Sequence, residues 1–311
     1  MIPIPFGASD LERLVEEARP FALAGKVATY IPELARGNPG ALSVALMDSK
    51  GASLSGGDTE IRFTMQSISK VVSLSLALAE LGEDAVFRKV GMEPTADPFN
   101  SVMRLEMVRS HRPQNPLINA GAIVVDSLLP YGDPEKAFSA VRDLTRRMTG
   151  NHGIKENPAV YLSEKRTGDR NRSLAYFLKS VGTIDSEVEK VLDIYFRQCS
   201  LEVTVSDLAV LAATLAMDGF NPKTGEEVLP ASVCRIVRAL MTTCGLYDGS
   251  GAFAVRVGLP AKSGVGGGIV ATVPGSMGVA VCGPALDRQG NSIAGIALLE
   301  RLSTSYGLRV L

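Results

Sequence analysis

The chain has 311 residues, enough for one large domain or two smaller ones and for a sizeable buried core. Its 32 lysine and arginine residues nearly balance 33 aspartate and glutamate residues, so neither a nucleic-acid nor an anionic-membrane partner is expected. A hydrophobic fraction of 46% excludes a wholly disordered chain.

Scarce histidines and scattered cysteines limit metal and redox chemistry. The two histidines, His111 and His152, are too few for a zinc site built on several imidazoles, and they disfavour a histidine-centred triad. No CxxC pair occurs among the four cysteines, which we expect to be reduced thiols in a cytosolic protein's core: Cys199, Cys234, Cys244 and Cys282. We therefore expect no metal and no other cofactor.

The first third of the chain predicts a helix, strands and a buried helix. Ser9 and Glu12 have capping-box spacing before an amphipathic run, and 42–48 alternates like a strand before a turn at 49–51. Residues 61–65 could form a third segment of the same layer as the strand at 42–48. Residues 67–81 are apolar on nearly every face and uncharged from Val71 to Ala79, which predicts a buried helix ended by Gly82. The N-terminus lacks a signal-peptide pattern, so a cytoplasmic location is expected.

The middle of the chain is helical and its end returns to strands. Helix-like segments occupy 134–150, 172–182, 186–199, 206–219 and 230–245. Short valine-rich segments at 253–264, 266–274 and 277–284 predict strands, and 292–307 predicts a closing helix. The glycines and proline within 264–286 argue against a membrane helix.

This order predicts a mixed α/β protein of the α+β class. Its antiparallel sheet combines N- and C-terminal strands, is flanked by helices, and has a helical subdomain inserted in the sequence between them. We expect one domain over residues 1–311, with a sheet-containing layer at 1–66 and 255–311 and a mainly helical part at 67–254.

One serine and one lysine form a candidate catalytic pair at the start of the buried helix. Ser67 and Lys70 have S-x-x-K spacing, and residues three apart share a helix face. Burial and the positive end of the helix dipole both lower a lysine pKa, so Lys70 could be the base that a serine nucleophile needs. S-x-x-K also occurs by chance, and its position in an uncharged helix is what favours function.

Lys262-Ser263-Gly264 is a second, weaker signal near the end of the chain. It resembles the K-T-G element of serine β-lactamases and penicillin-binding proteins, with serine in place of threonine. The alternative is an ordinary turn at a strand end. The neighbouring GVGGG is not a phosphate-binding loop, because the full motif and a following helix are both missing.

Six ordered segments resemble the serine-dependent glutaminases. They are QSISK, NPLINAGAI, SEKRTGDRN, YFRQCSLEVT, TTCGLYDGSG and GLPAKSGVGGGI, and the resemblance runs from about residue 25 to the C-terminus. It implies a β-lactamase-like fold and an amidohydrolase that converts L-glutamine to L-glutamate and ammonia through an acyl-enzyme. It also implies a homodimer or homotetramer, with L-glutamine and water as the small-molecule partners.

The resemblance also implies roles for particular residues. Ser67 resembles the nucleophile, Lys70 its base, Tyr247 a proton relay and Tyr30 a residue lining the same pocket. The backbone amides of Ser67 and Val265 resemble the oxyanion hole. With Ser67, Tyr247 and Val265, the remaining substrate-binding residues are Asn119, Glu164, Asn171 and Tyr195. Lys262, Ser263 and Gly264 are the supporting motif.

These residue types suit free glutamine, because a carboxylate can pair its ammonium and amide or phenol groups can hold its carboxylate. Each also has a structural alternative. Asn119 could cap a helix, Glu164 and Asn171 could lie in a solvated loop, and the tyrosines could be packing residues. Asp169 and Arg170 suggest a structural ion pair or a loop anchor.

Two other functions remain open at this point. A penicillin-recognising serine hydrolase is disfavoured by the lack of an S-D-N element and of an export signal. A non-catalytic amino-acid-binding protein on the same scaffold would leave Ser67 and Lys70 without a role. Nitrocefin turnover would indicate the first, and absence of labelling by a reactive glutamine analogue would indicate the second.

Overall fold

The computed structural model describes residues 4–107 and 111–311. Its strands are β1 Ser43–Asp48, β2 Ser53–Gly57, β3 Phe63–Thr64, β4 Glu202–Val203, β5 Phe220–Asn221, β6 Glu226–Glu227, β7 Ala261–Ser263, β8 Gly268–Val273 and β9 Met277–Cys282. Its α-helices are α1 Ala8–Ala18, α2 Ser69–Leu81, α3 Glu83–Lys89, α4 Met103–Met107, α5 Asn119–Leu128, α6 Pro134–Thr149, α7 Pro158–Thr167, α8 Asp169–Ser180, α9 Val188–Cys199, α10 Val205–Ala216, α11 Ala231–Cys244, α12 Ser250–Arg256 and α13 Ile293–Tyr306.

A five-stranded antiparallel sheet joins the two ends of the sequence. Its order is β2-β1-β9-β8-β7, with Ser43 opposite Cys282. Early and late strands therefore share one sheet, and the predicted α+β class is confirmed.

Both faces of this sheet are covered by helices. Along β1, Val44 and Leu46 belong to the apolar cluster that includes residues of α1 and α13, whereas Ala45 and Met47 belong to the cluster that includes α10. The period of two places alternate side chains on opposite faces, and burial of both faces explains the nearly uninterrupted apolar strand.

The helical region is built around α2. All residues from Ser69 to Leu78 are buried, as the uncharged sequence predicts, and Gly82 ends the helix at φ +78°. The five predicted middle helices are observed as α6, α8, α9, α10 and α11. Within the described ranges, no helix has the length and apolar character needed to cross a membrane.

Three local predictions were wrong. Residues 61–65 do not extend the large sheet: β3 pairs with β4, a contact between distant segments that no local pattern reveals. The Ser9–Glu12 capping box is not formed, because α1 begins at Ala8 and the Glu12 carboxylate accepts a hydrogen bond from the Gly57 amide instead. Residues 253–256 are helical in α12, and only 261–263 of that segment form a strand.

Candidate active site

A cavity of about 210 Å³ lies beside the start of α2, where α5, α7, α8, α9 and the segment after β7 come together. Seven of the predicted site residues line it: Tyr30, Ser67, Asn119, Glu164, Asn171, Tyr195 and Val265. A larger cavity of about 510 Å³ beside Glu16, Arg19 and Leu23 contains none of the predicted residues. The residues that line the smaller cavity, and not the cavity volume, therefore identify it as the candidate site.

Ser67 is held in a 3₁₀ turn, Gln66–Ile68, immediately before α2. Gln66 adopts φ +48°, a conformation that L-residues rarely take, and its side-chain amide donates to Thr64 Oγ1 at 3.1 Å. Gly264 packs against this turn so closely that a Cβ there would lie 2.7 Å from the Met65 carbonyl oxygen. This close approach explains the glycine of the K-S-G motif and fixes the turn that carries Ser67.

Lys70 is fully buried one helical turn beyond Ser67. Its Nζ donates to Asn119 Oδ1 at 2.6 Å and lies 5.8 Å from the centre of the Tyr195 ring. Burial lowers the pKa of Lys70 to about 8, although Cys199, Asp126 and Glu164 oppose that shift. With this pKa, about a tenth of the amine is unprotonated at pH 7 and about half at pH 8.

The Asn119 and Asn171 amides connect Lys70 to the cavity. Asn119 Nδ2 donates to Asn171 Oδ1 at 2.9 Å, while Asn119 Oδ1 accepts from Lys70. Asn119 is the first residue of α5 and its side chain does not cap the helix. This orientation leaves the Asn171 amide nitrogen as a donor for a ligand.

Glu164 is a buried carboxyl at the edge of this network. It lies on α7 and Asn171 lies on α8, so the expected polar loop is in fact two helices that meet at Gly168. Burial raises the pKa of Glu164 to about 7, and hydrogen bonding from Gln66 and the charge of Lys70 partly oppose this rise. The group is poised to bind a cation that enters the cavity.

Tyr247 lies behind Ser67 in a second strained turn, with φ +57°. Its hydroxyl donates to the Ser263 carbonyl oxygen at 3.4 Å, and hydrogen bonding with Ser67 lowers its pKa. Burial is the larger effect and raises the pKa of Tyr247 to about 12. The side chain is therefore a phenol at neutral pH, able to donate a proton.

The K-S-G motif supports Tyr247 from outside the cavity. Lys262 Nζ donates to the carbonyl oxygens of Gly245 at 3.0 Å and Ser263 at 2.6 Å, and it lies 4.2 Å from the centre of the Tyr247 ring. Burial holds the pKa of Lys262 well below its usual value. Ser263 Oγ donates to Asn291 Oδ1 at 2.6 Å, and Asn291 Nδ2 donates to the Leu246 carbonyl oxygen at 3.4 Å, so the motif fixes the chain that leads into the tyrosine turn.

Two tyrosines and a valine are the other predicted residues in the lining. Tyr195, on α9, is buried, whereas Tyr30 is 55% exposed and lies where the cavity meets solvent. Val265 is buried directly after the K-S-G motif. The structure brings all the predicted site residues to the cavity or directly behind it, and their roles stay predictions.

Sequence reasoning missed several residues of the lining: Gln66, Phe99, Asn100, Thr167 and Cys199. Gln66, Thr167 and Cys199 had a signal, because they lie in the segments QSISK, SEKRTGDRN and YFRQCSLEVT; Phe99 and Asn100 had none. Arg170, also in the lining, donates to the Asn100 carbonyl oxygen at 2.8 Å, in agreement with the expected loop anchor. Asp169 pairs with Arg172 at 3.7 Å, so the ion pair suggested for Asp169 and Arg170 is wrong.

These groups together suit acyl transfer on a small polar substrate. The hydroxyl of Ser67 lines the cavity with the amine of Lys70 and the phenol of Tyr247 close behind it, and a carboxyl and two amides line the same cavity. The first set can move protons during attack and departure, and the second can bind a zwitterion.

Comparison with known proteins places the chain among similar sequences and structures. The family model described as Glutaminase matches residues 25–311. A glutaminase of Clostridium tetani is 52% identical over 302 residues, covering 97% of this chain and 99% of that protein. A probable glutaminase from Bacillus subtilis complexed with 6-diazo-5-oxo-L-norleucine is 37% identical, with a TM-score of 0.90 and coverage of 98% and 97%. A Bacillus subtilis glutaminase in covalent complex with 5-oxo-L-norleucine, formed by reaction with that diazo compound, is 37% identical, with a TM-score of 0.89 and coverage of 98% and 99%.

Proposed function

The chain belongs to the glutaminase family, and on this premise we propose how it hydrolyses L-glutamine to L-glutamate and ammonia: Ser67 attacks the side-chain amide while Lys70 accepts the serine proton. The observation that carries this proposal is a fully buried lysine of lowered pKa, one helical turn from a serine that lines the cavity. A serine hydroxyl is a weak nucleophile until a neighbouring base removes its proton.

In the first half-reaction the Ser67 oxygen bonds to the amide carbon and its proton passes to the Lys70 amine. The negative charge that forms on the amide oxygen is stabilised by the backbone amides of Ser67 and Val265. Collapse of this intermediate breaks the carbon–nitrogen bond, and the nitrogen leaves as ammonia after receiving a proton from Lys70 or through Tyr247. A glutamyl ester on Ser67 remains.

Water completes the reaction. Lys70, again unprotonated, accepts a proton from a water molecule that attacks the ester carbon, and the Ser67 oxygen regains a proton as it leaves. The products are L-glutamate and the free enzyme. The covalent complex of the related Bacillus subtilis glutaminase with 5-oxo-L-norleucine supports a nucleophilic mechanism for this chain.

Substrate selection follows from the polar side chains that line the cavity. Ionised Glu164 pairs the α-ammonium of glutamine, and the Asn119 and Asn171 amides and the Tyr195 hydroxyl hold its α-carboxylate. Tyr30 contacts the substrate at the cavity mouth. A substrate lacking one of the charged groups would leave buried polar groups unpaired, which favours the free amino acid over peptides.

Assembly, location and domain organisation form a separate proposal. Family resemblance supports a homodimer or homotetramer and one catalytic domain over residues 1–311. The four cysteines are free and buried, which favours a reducing, cytoplasmic location. Sedimentation velocity of the purified chain would measure the oligomeric state.

The decisive experiment removes the proposed nucleophile. Ser67→Ala should abolish ammonia release from L-glutamine while the melting temperature changes little. Intact-mass spectrometry after treatment with 6-diazo-5-oxo-L-norleucine should show one adduct on the unmodified chain and none on Ser67→Ala. The surface variant Ser180→Ala, on α8, is the control and should react normally. Turnover or an adduct retained by Ser67→Ala would contradict the mechanism.

A further inference from the structure

Asp126 is a buried carboxyl that the proposed mechanism does not use. It lies on α5, two helical turns beyond Asn119 and therefore on the same face of the helix. It is only 1% exposed, and the residues between the two positions are small or aliphatic. An acid in such surroundings carries a large desolvation cost if it is charged.

Asp126 connects the three helices that carry Lys70, Asn119 and Tyr195. Gln198 Nε2, on α9 one turn beyond Tyr195, donates to Asp126 Oδ2 at 3.1 Å. The hydroxyl of Ser73, on α2 one turn beyond Lys70, approaches the same carboxyl and acts on its pKa. The Asp126 side chain, on α5, therefore lies next to residues of α2 and α9 behind the cavity.

The hydrogen-bond pattern of this pair is incomplete if Asp126 is ionised. Among the described residues, Asp126 Oδ1, Gln198 Oε1 and Ser73 Oγ are all buried without a hydrogen-bond partner. The Ser73 hydroxyl can donate to Oδ1 of an ionised carboxyl, but Gln198 Oε1 would still lack a donor, because Oδ1 and Oε1 are then both acceptors. A proton on Oδ1 makes it a donor and allows the acid and the amide to pair through two hydrogen bonds. Burial raises the pKa of Asp126 well above its usual value, in agreement with this pairing.

We propose that Asp126 is a positioning residue whose protonated carboxyl pairs with Gln198, fixing α2, α5 and α9 while keeping negative charge away from Lys70. This inference rests on the proposed role of Lys70 as the base. An ionised Asp126 would raise the pKa of Lys70 and lower the fraction of unprotonated amine at neutral pH. The other titratable groups facing Lys70 are Glu164, Cys199 and Lys262.

Carbon-13 NMR tests the protonation state directly. In protein labelled at the aspartate carboxyl carbon, the signal missing from Asp126→Asn identifies Asp126. We expect it to keep the chemical shift of a protonated carboxyl from pH 5 to pH 8. A carboxylate shift at pH 7 would overturn the proposal. Because this readout does not depend on turnover, it stands whether or not Lys70 is the catalytic base.

Paired variants test the positioning role. Asp126→Asn keeps a neutral group that can donate to Gln198 Oε1, so kcat/KM should stay within about threefold and the acid limb of its pH profile should not move. Asp126→Ala leaves the Gln198 amide unpaired and should lower kcat by about tenfold or more. Asp48→Asn is the control, because Asp48 is a buried aspartate at the end of β1, away from the cavity.

Two outcomes would overturn the proposal. If Asp126→Asn moves the acid limb of the kcat/KM profile to lower pH by about one unit, Asp126 is charged in the native enzyme and raises the Lys70 pKa. If Asp126→Asn loses as much activity as Asp126→Ala, a neutral hydrogen-bonding group does not suffice. A loss of activity in Ser67→Ala alone tests the nucleophile and leaves this inference untouched.

Discussion

Two non-glycine residues with positive φ adjoin Ser67: Gln66 precedes it in the chain, and the Tyr247 hydroxyl hydrogen-bonds with its side chain. Such conformations cost about 1–3 kcal/mol each and persist only where the surroundings impose them. Here the surroundings are Gly264 against the first turn and Lys262 beside the second. The supporting motif therefore acts by fixing backbone, which places the serine and the phenol within hydrogen-bonding range of each other.

The pH dependence of kcat/KM should report two buried groups. Lys70, with a pKa of about 8, must lose its proton to act as a base, and Glu164, with a pKa of about 7, must lose its proton to bind the ammonium. Both requirements favour higher pH, so kcat/KM should rise between pH 6 and pH 8, with a slope above one logarithmic unit per pH unit below about pH 7. A flat profile over this range would contradict both assignments.

Glu164→Gln separates the two groups. The substitution removes the group that titrates at the lower pH, so the slope of log kcat/KM against pH should fall to one. KM should rise about tenfold to a hundredfold, because a charge-assisted hydrogen bond to the substrate is lost. Glu226→Gln, which alters a surface ion pair with Arg147, is the control and should leave both quantities unchanged. An unchanged KM in Glu164→Gln would remove Glu164 from the substrate-binding set.

The sequence predicted which residues form the site better than it predicted the contacts between them. Ser67 and Lys70 are visible because a spacing of three puts them on one helix face. Asn119, Glu164 and Asn171 depended on family resemblance, because as single polar residues they match caps and surface loops equally well. The contacts of Lys262 and Asn291 form between distant segments, and no local pattern predicts them.

At the scale of elements, the contact between α10 and β9 holds the helical region on the sheet. Gly278 lies under α10, and a Cβ there would be 2.1 Å from the Ala213 backbone nitrogen and 2.3 Å from the Ala209 carbonyl oxygen. Backbone atoms cannot rotate away as side chains can. This glycine is required by packing, since its φ is not in the left-handed region.

Gly278→Ala should therefore lower the free energy of unfolding by at least about 3 kcal/mol, because α10 must move away from β9. Chemical denaturation with circular dichroism would measure the change. The matched control is Gly251→Ala in α12, where a Cβ meets no atom within 4 Å. It should leave stability unchanged or raise it by about 0.5–1 kcal/mol. Equal effects of the two substitutions would rule out packing as the cause.

Elements defined by their own sequence pattern were predicted, whereas elements defined by distant contacts were not. Long periodic segments such as α6 and α9 were recognised from their own sequences. The segment of β3 was predicted but assigned to the wrong sheet, and β4 was not predicted, because their pairing joins residues more than a hundred positions apart. The position of α10 against the sheet was also missed, since its apolar composition predicts burial but does not identify the surface that covers it.

Across the whole molecule, the thiols are shielded. All four cysteines are free and buried, and burial raises their pKa, to about 12 for Cys234. Native protein should react slowly with DTNB, because the thiolate is the reactive form and burial both suppresses the thiolate and limits access of the reagent. Unfolding in guanidinium chloride should release four equivalents of chromophore. Rapid labelling of native protein would show that the core opens readily or that a thiol lies at the surface.

The strand order also has a consequence for synthesis on the ribosome. β1 emerges early, yet its partner β9 lies more than two hundred positions further along the chain. Until nearly the whole polypeptide has been translated, the β1–β2 hairpin has an open edge able to pair with other nascent chains. The seam between β1 and β9 thus makes completion of the fold a late event, and cellular chaperones have the most to contribute during that interval.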